Sequence, residues 1–444
     1  MIPLGPPGAR PRVGHNRSVE IEGADALLAE VTEKYSEFLN PGLARLLSFA
    51  GFGVEARAEG CYVFDHSGRK FLDCLGGYGV FSLGHRHPKV LEAARAALDT
   101  MPLSAKVFFS KPMADLAEKL AEITPGGLKF TFLCNSGTEA VEGALKVAKA
   151  FDGRPKVVST EGGYHGKSMG SLSATGREKY RAPFYPLVPE FVHVPFNDVQ
   201  AMEEAVDNRT AAVIVEPVQG EGGIHVPDIS YLPSVREICD RNDALLVLDE
   251  VQTGFGRTGR MFGMEHSGVV PDLVTFAKAL GGGVAPIGAF VGTREVWERT
   301  FGPNPLIHTS TFGGNAMACA AALAVIDVVT EERLWERSEK MGARLIGGLR
   351  NVRSQLPDLI ADVRGLGLMI GVEFAMDDVA EICIGQMLKR GVVAAYTLNN
   401  SRVIRFEPPL IIEESQVDMA VNVFGEALDE TQSLVSAVMG DVSG

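Results

Sequence analysis

A lysine and an aspartate stand at the ends of two apolar segments, where residues of these types could do chemistry. Lys278 follows LVTFA and precedes ALGGG, so a flexible ammonium interrupts an otherwise apolar stretch, and Asp249 ends the segment ALLVL. Taken singly, each has an ordinary explanation, because most lysines are solvated surface residues and an aspartate can cap a neighbouring loop. Taken together, an amine that can attack a carbonyl carbon and an acid that can hold a proton on a nitrogen could support covalent chemistry.

A third candidate is the segment NSGTEAVEGALKVAKAF, whose apolar residues recur with the period of a helix. The pattern predicts a helix that begins near Ser136. Ser136 and Glu139 have the S-x-x-E spacing of a capping box, and Gly137 lets another group approach the backbone closely. The free amides at such a helix start bind phosphate readily, although an ordinary capped helix explains this motif by itself at least as well.

The elements that would position these residues lie between about residues 60 and 320, where short β-branched segments alternate with helical patterns. The predicted strands are FTFLC from 130, KVVST from 156, AAVIVE from 211, ALLVLD from 244 and LVTFA from 273. Their alternation with helices predicts an α/β fold with a mostly parallel sheet covered on both faces. Each strand ends in polar or glycine-rich sequence, so the five carboxyl ends predict a single site.

In combination, Lys278, Asp249 and the helix start at Ser136 supply the three contacts that pyridoxal 5'-phosphate (PLP) requires. The lysine would form a Schiff base with the aldehyde, the aspartate would keep the ring nitrogen protonated, and the helix start would receive the phosphate. The combination therefore favours a PLP-dependent enzyme.

Two nucleotide-binding motifs fit the sequence less well. Gly166-Lys167-Ser168 resembles the end of a P-loop, but three residues rather than four separate Gly162 from Gly166, so a P-loop ATPase stays an alternative with a failed spacing. GFGRTG at 254–259 matches GxGxxG, yet no helical pattern follows it, which favours a turn-rich loop. A further alternative is an inactive homologue that serves as a binding protein, and the presence of both Lys278 and Asp249 argues against it.

The composition bounds the architecture and the partners. A chain of 444 residues predicts two domains, here a large domain over 61–320 and a smaller α+β domain over 321–444, preceded by a segment 1–60 that packs on another domain or on a partner subunit. One long helix is predicted from about residue 318 to 350. The formal charge of -14 disfavours nucleic acids and anionic membrane surfaces as partners.

Cysteine usage and the N-terminus suggest a compartment. The six cysteines show no CxxC spacing, which predicts neither a metal site nor a disulfide framework and favours the cytoplasm. No apolar stretch reaches the roughly 20 residues of a membrane-spanning helix. The first 18 residues lack the apolar core of a signal peptide and are predicted to be a mobile tail.

Several motifs resemble, in order and spacing, those of the class III, fold type I, PLP-dependent aminotransferases, and the likeness extends from about residue 36 to 430. They are NSGTEA, GGYHGKS, EPVQGEGG, LDEVQTGFGRTG, FAKALGGG, HTSTFGGN and RFEPPL. Within the family, the chain is most similar to the putrescine aminotransferases, through NPG at 40, DCLGGYGVFSLGHRHP at 73, SATGREKYRAPF at 173 and TLNNSRVIRFEPPL at 397. The resemblance implies a large PLP-binding domain, a smaller C-terminal domain and a homodimer with shared active sites.

The resemblance also assigns roles to individual residues. It implies that Lys278 forms the Schiff base, that Asp249 pairs with the pyridinium nitrogen and that Gln252 faces the phenolic oxygen of the ring. Tyr164 would stack on the ring with His165 behind it, and Thr311 would reach the phosphate of the partner subunit's cofactor. The other cofactor-binding residues implied are Ser136, Gly137, Thr138 and Glu216.

For the substrates, the resemblance implies a gating pair and an aromatic contact. Arg405 would bind a carboxylate of the oxo acid, and Glu221 would neutralise Arg405 when the substrate lacks one, although a surface ion pair is the ordinary explanation for such residues. Tyr78 would line the substrate channel, unless it merely packs in the core. Lys149 stands where acetylornithine aminotransferases carry the arginine that binds the α-carboxylate of the substrate, which disfavours acetylornithine and favours an amine without an α-carboxylate.

The expected reaction is transfer of the terminal amino group of a diamine such as putrescine or cadaverine to 2-oxoglutarate or pyruvate by a ping-pong mechanism. The alternatives are ornithine, lysine, acetylornithine or 4-aminobutyrate as donor, or amination of an aldehyde in specialised metabolism.

Overall fold

The computed structural model describes residues 23–442, so the tail predicted over the first 18 residues lies outside the described residues. The chain divides into two compact units: residues up to Ala56 together with Phe64–Arg69, and Arg57–Val63 together with the residues from Lys70 onward. The larger unit contains every candidate site residue. The domain boundary at residue 320 and the packing of the first 60 residues stay predictions.

The strands are numbered in chain order. They are β1 (Glu55–Glu59), β2 (Tyr62–Asp65), β3 (Lys70–Asp73), β4 (Leu128–Cys134), β5 (Lys156–Thr160), β6 (Phe191–Val194), β7 (Thr210–Val215), β8 (Leu245–Asp249), β9 (Leu273–Phe276), β10 (Gly288–Thr293), β11 (Ile360–Leu366), β12 (Met369–Phe374), β13 (Val392–Val393), β14 (Ala395–Thr397) and β15 (Asn400–Phe406). All five predicted strands are therefore present, as β4, β5, β7, β8 and β9.

The helices are numbered in the same way. They are α1 (Ala24–Lys34), α2 (Pro41–Ala50), α3 (Gly76–Gly79), α4 (Pro88–Thr100), α5 (Lys111–Ile123), α6 (Gly137–Asp152), α7 (Met169–Ala174), α8 (Glu178–Arg181), α9 (Val199–Ala205), α10 (Tyr231–Arg241), α11 (Arg294–Thr300), α12 (Ala316–Glu331), α13 (Leu334–Gln355), α14 (Val379–Lys389) and α15 (Glu414–Val442). None of the described helices is both long and apolar enough to cross a membrane.

In the smaller unit, α1 runs through a π-helical turn (Tyr35–Leu39) to α2. Asn40 caps α2, because its side-chain oxygen accepts hydrogen bonds from the backbone N–H groups of Gly42 at 2.9 Å and Leu43 at 3.2 Å. The ring of Phe49 is 92% exposed, so this helix pair leaves apolar surface uncovered within the unit.

The larger unit is built on a seven-stranded sheet with the order β4-β10-β9-β8-β7-β5-β6. The neighbours from β9 to β6 are parallel, whereas β10 is antiparallel to both β4 and β9. The predicted, mostly parallel sheet is thus confirmed. Because β10 is antiparallel to both neighbours, β4 and β9 run in the same direction. The loops that follow β4 and β9 therefore begin at the same edge of the sheet.

Both faces of this sheet are buried, which explains why its strands are continuous apolar segments rather than alternating ones. Val157, Ile214 and Val247 pack with α6 on one face, and their chain neighbours Val158, Val213 and Leu246 belong to the core on the opposite face. Each fully buried side chain of this size contributes about 1.5–3 kcal/mol. The sheet is therefore a rigid base for the loops at its edge.

The C-terminal part of the larger unit forms an antiparallel sheet with the order β11-β12-β15-β14. The prediction of a single long helix over 318–350 is wrong, because two helices, α12 and α13, occupy this stretch. Arg333 between them has a left-handed backbone (φ 47°), which interrupts the helix. The polar sequence TEER at 330–333 is the feature of the sequence that could have indicated this break.

Candidate active site

A cavity of about 680 Å³ opens at the carboxyl ends of the parallel strands. Its lining comes from the segments that follow β4, β5, β7, β8 and β9, and includes the residues Ser136, Gly137, Thr138, Tyr164, His165, Glu216, Asp249, Gln252 and Lys278. The prediction of one site at five strand ends agrees with this arrangement. The order of strands in the sheet explains it, since ligand sites of such sheets lie at this edge.

Lys278 projects into the cavity from the end of β9. The backbone leaves the buried strand through Ala277 and turns sharply at Lys278, whose φ of 42° is unusual for a residue with a side chain. Among the described residues, its ammonium has no hydrogen-bond or ion-pair partner. Burial lowers the pKa of Lys278, and the nearby carboxylates of Glu221 and Glu407 offset this only in part. A lysine held in this way is a good nucleophile and base, because more of it is neutral.

Asp249 ends β8, and its carboxylate is bound from three sides. His165 Nδ1 donates to Oδ2 at 2.7 Å, while the hydroxyl of Thr275 and the backbone N–H of Val251 donate to Oδ1 at 3.0 and 3.1 Å. Burial opposes protonation of His165, but the hydrogen bond and charge of Asp249 outweigh burial and raise the pKa of His165. These contacts fix the orientation of the Asp249 carboxylate against the cavity, with capacity for a further donor.

Glu216 anchors the loop that carries Tyr164. Its Oε1 accepts a hydrogen bond from the backbone N–H of Tyr164 at 2.9 Å, and its Oε2 accepts one from Gly220 at 3.0 Å. Burial raises the pKa of Glu216 to about 7, although His165 acts in the opposite direction. Tyr164 is half-buried and presents its ring to the cavity wall.

The predicted helix start is confirmed, because Ser136 caps α6 and its hydroxyl accepts a hydrogen bond from the N–H of Glu139 at 3.3 Å. The side chain of Glu139 departs from the capping box, since it accepts from the backbone N–H of Asn135 at 2.9 Å rather than from Ser136. The hydroxyl of Thr138 lies 2.7 Å from that of Ser168 and 2.6 Å from that of Ser171. This group of donors beside a helix start suits an anion.

Glu221 and Arg405 form a buried pair, which excludes the ordinary explanation of a surface ion pair. Arg405 Nη1 lies 2.9 Å from Oε1 of Glu221, and Nη2 binds Oε2, so the contact is bidentate. The ring of Tyr78 lies 5.1 Å from the guanidinium carbon. Burial would lower the pKa of Arg405 and raise that of Glu221, but their mutual attraction reverses both directions.

Sequence reasoning missed Glu407, two residues after Arg405. Both of its side-chain oxygens accept from Nε2 of Gln252 at 3.0 Å, and its Oε2 lies 3.6 Å from Nη1 of Arg405. The side chain is fully buried. The sequence feature that could have indicated Glu407 is a carboxylate inside the apolar segment VIRFEPPL, because a buried acid needs a partner.

Four of the predicted site residues lie outside the cavity lining, namely Tyr78, Glu221, Arg405 and Thr311. The expected place of Tyr78 in the substrate channel therefore stays a prediction. Thr311 is exposed on the surface of the single chain, so its role toward a partner subunit's cofactor stays a prediction. The ammonium of Lys149 lies over the ring of Phe191 at 5.1 Å, and Lys149 is not among the residues that line the cavity. The second lysine that lines the cavity is Lys167, whose ammonium lies 4.5 Å from the ring centre of Tyr180.

The residues present fit PLP. The unpartnered amine of Lys278, the fixed charge of Asp249 and the start of α6 face one cavity, which is the donor and acceptor set that an aldehyde, a pyridinium nitrogen and a phosphate require. A Cβ added at Gly137 would lie 3.0 Å from the Val251 side chain, so only glycine lets the helix start sit this close to the strand end. The fold and the site together define a fold type I PLP-dependent enzyme.

The match to a family model narrows this class. Residues 52–428 match the model of the class III aminotransferases, and the chain belongs to that family. It is a transaminase with PLP as cofactor.

Solved structures of relatives agree in fold over most of the chain. A transaminase from the marine bacterium Virgibacillus is 32% identical with a TM-score of 0.86, and the match covers 91% of this chain and 100% of that one. An (S)-enantioselective omega-transaminase from Thermomicrobium roseum is 32% identical, with a TM-score of 0.85 and coverage of 92% and 99%. The ornithine aminotransferase from Toxoplasma gondii, which holds PLP at its active site, is 30% identical with a TM-score of 0.82 and coverage of 92% and 98%.

Proposed function

We propose that this aminotransferase transfers the terminal amino group of a diamine such as putrescine or cadaverine to 2-oxoglutarate or pyruvate by a ping-pong mechanism. The observation that carries the proposal is the closed pair of Glu221 and Arg405. While this pair is closed, Arg405 offers no free charge to a donor carboxylate, so the site in this form suits a donor without one. The similarity of the motifs to those of putrescine aminotransferases supports the same choice.

The chain's own residues divide the work of the reaction. Lys278 would hold the cofactor covalently, and its amine, once freed, would take the proton from the amine-bearing carbon of the donor and hold it for return. PLP supplies the electron sink for that step when it is bound. Asp249, oriented by His165 and Thr275, would hold the ring nitrogen protonated. Ser136, Gly137 and Thr138 would bind the phosphate, and Tyr164 would exclude water from the ring.

For the second half-reaction, opening of the Glu221–Arg405 pair would free Arg405 for a carboxylate of the oxo acid. The pair is held at two points, and the carbonyl oxygen and carboxylate of Glu221 also accept from Asn399 N–H at 2.9 Å and Leu398 N–H at 2.8 Å. Opening therefore involves the loop that carries Leu398 and Asn399.

A second candidate donor is an amino acid such as ornithine. Lys167 lines the cavity with an exposed ammonium that could bind a donor carboxylate while Arg405 stays neutralised. One of the similar structures is an ornithine aminotransferase, which supports ornithine as the amino acid to test.

We also infer a homodimer with shared active sites, in which Thr311 contacts the phosphate held by the partner subunit. Phe108 and Phe109 are exposed on the single chain. Apolar side chains rarely stay so accessible, which supports the proposal that a partner subunit covers this surface. A cytoplasmic location is supported by the six cysteines, all of which are unpaired thiols.

The test is the visible absorbance of the bound cofactor after adding one donor without any oxo acid. Putrescine should convert the cofactor in a single turnover, and ornithine should do so more slowly. Lys278→Ala, which cannot be converted in this way, is the control. Conversion by ornithine but not by putrescine would discard the diamine and favour the second candidate.

A further inference from the structure

Arg405 faces two buried carboxylates rather than one. Glu221 holds it in a bidentate contact, and Oε2 of Glu407 lies 3.6 Å from Nη1 on the same strand. All three side chains are 8% exposed or less. Two carboxylates and one guanidinium leave one formal negative charge in excess inside the protein.

Two further cations, Lys278 and Arg257, act on Glu407 through space, and neither forms an ion pair with it among the described residues. The fully buried guanidinium of Arg257 is bound to the carbonyl oxygens of Leu368 at 2.9 Å and Pro408 at 2.6 Å, and it lies outside ion-pair distance of Glu407. A buried charge without a partner is costly, so a cation from elsewhere would stabilise the group.

Glu407 reaches the cavity through Gln252. The Gln252 side chain lines the cavity, and its Nε2 is bound by both oxygens of Glu407. A Cβ added at Gly79 would lie 3.7 Å from Gln252 and 3.9 Å from the Lys278 side chain, so Gln252 and Lys278 border the same narrow space. In a low-dielectric interior, a charge one residue behind the wall still acts on a ligand in the cavity, because the Coulomb energy falls only as the reciprocal of the distance.

We propose that Glu407 is a specificity-determining residue, whose charge makes the wall beside Lys278 negative and selects donors with a cationic far end over donors with a carboxylate there. The inference rests on the proposed function for the identity of that donor, a diamine. Glu407 also limits how much free charge Arg405 offers when the Glu221–Arg405 pair opens, because Arg405 still faces a carboxylate after Glu221 moves away. A donor carboxylate then has to compete with Glu407.

The experiment compares three donors that differ only at the far end: putrescine (ammonium), butylamine (methyl) and 4-aminobutyrate (carboxylate). Single-turnover kcat/KM is measured by cofactor absorbance for the wild type and for Glu407→Gln, which keeps the shape and removes the charge. We expect the variant to lose about tenfold on putrescine, to change little on butylamine and to gain on 4-aminobutyrate. Equal changes on all three donors would overturn the inference.

Matched variants separate charge from packing. Glu407→Asp keeps the charge and should keep the order of donors even if all rates fall. Glu373→Gln removes a carboxylate from the same sheet, where it pairs with Arg364 and Arg402 away from the cavity, and should leave the order unchanged. A changed order in Glu373→Gln would mean that the effect is not local to Glu407.

A binding measurement keeps the two proposals distinguishable. Calorimetry on the holoenzyme with n-butylguanidine and with pentanoate, neither of which carries a reactive amine, should show about tenfold weaker binding of the guanidine and tighter binding of pentanoate in Glu407→Gln. Failure of putrescine to react with the wild type, with this exchange in binding intact, would discard only the diamine. Unchanged binding of both probes would discard the role of Glu407.

Discussion

Lys278, which is half-buried, and Arg405, which is fully buried, are two cations near one cavity, and their surroundings are opposite. Lys278 has no ion-pair partner among the described residues, and burial lowers its pKa. Arg405 lies against Glu221 and Glu407, which together outweigh burial and raise its pKa. The difference teaches that isolation makes a cation reactive, because it favours the neutral amine, whereas pairing keeps a cation charged and fixed for recognition.

The carboxylates near these two cations divide in the same way. Glu216, in the region of Lys278, accepts hydrogen bonds only from backbone N–H groups within the described part of the chain, and burial raises its pKa to about 7. Burial would also raise the pKa of Glu221, but Arg405 lowers it. One cavity thus combines a region in which protons move easily with a region in which charges are held.

Replacement of Lys278 should give the largest effect. Lys278→Ala should lower turnover about 10⁴-fold or more, because it removes both the nucleophile and the base. The unfolding free energy without cofactor should stay the same or rise, since a buried unpaired amine is removed. Stopped-flow absorbance and urea unfolding measure the two quantities. A loss of several kcal/mol of unfolding free energy in Lys278→Ala would contradict the difference that we describe between Lys278 and Arg405.

Replacement of Arg405, unlike that of Lys278, should lower stability. Arg405→Met should lower the unfolding free energy by about 3–5 kcal/mol, because Glu221 and Glu407 remain buried without their cation. The variant that combines Arg405→Met with Glu221→Gln and Glu407→Gln should recover much of this loss, which urea unfolding would show. Equal instability of the combined variant would mean that packing, not charge, dominates this region.

Glu216 should make stability depend on pH. Its folded pKa of about 7 lies above its ordinary value of 4.5, so the folded state binds more protons between these values. Stability should therefore fall as pH rises from 5 to 7, by about 1.4 kcal/mol per unit at most, and the full cost is present above pH 7. Glu216→Gln should flatten the profile of unfolding free energy against pH, while Glu221→Gln should not. Parallel profiles for Glu216→Gln and the wild type would contradict the assignment.

The contact between Tyr78 and Arg405 should give the smallest effect. Tyr78→Leu removes the ring face from the guanidinium and should cost about 1 kcal/mol of unfolding free energy. Tyr78→Phe keeps the ring and serves as the control, with a change near zero expected. A cost in the phenylalanine variant equal to that in the leucine variant would assign the effect to the hydroxyl group.

Much of the lysine region could be predicted from the sequence, because it depends on local features. Lys278 and Asp249 directly follow or end apolar strands, and Ser136 precedes a regular helical pattern. Strand direction alone brings such residues to one edge of a parallel sheet. Even here, the orientation of Glu139 toward Asn135 was not predictable, since the capping geometry is set by how the loop after β4 enters the helix.

The arginine region was less accessible to sequence reasoning. Arg405 and Glu221 are 184 residues apart, and only the family resemblance paired them. Glu407 was missed, and so was the place of Lys167 as the second lysine that lines the cavity. The break between α12 and α13 was missed for a related reason: a helical pattern does not show where the chain must reverse to pack.

The sequence by itself determined the parallel sheet, the helix start at Ser136 and the placement of a lysine and an acid at strand ends, because periodicity and strand order act over short stretches of chain. Only the tertiary structure decided which charges are paired. Ion pairs form between groups that packing brings within a few ångströms, and their strength depends on the burial that the whole fold provides. The isolation of Lys278 and the double contact of Arg405 are therefore properties of the folded chain.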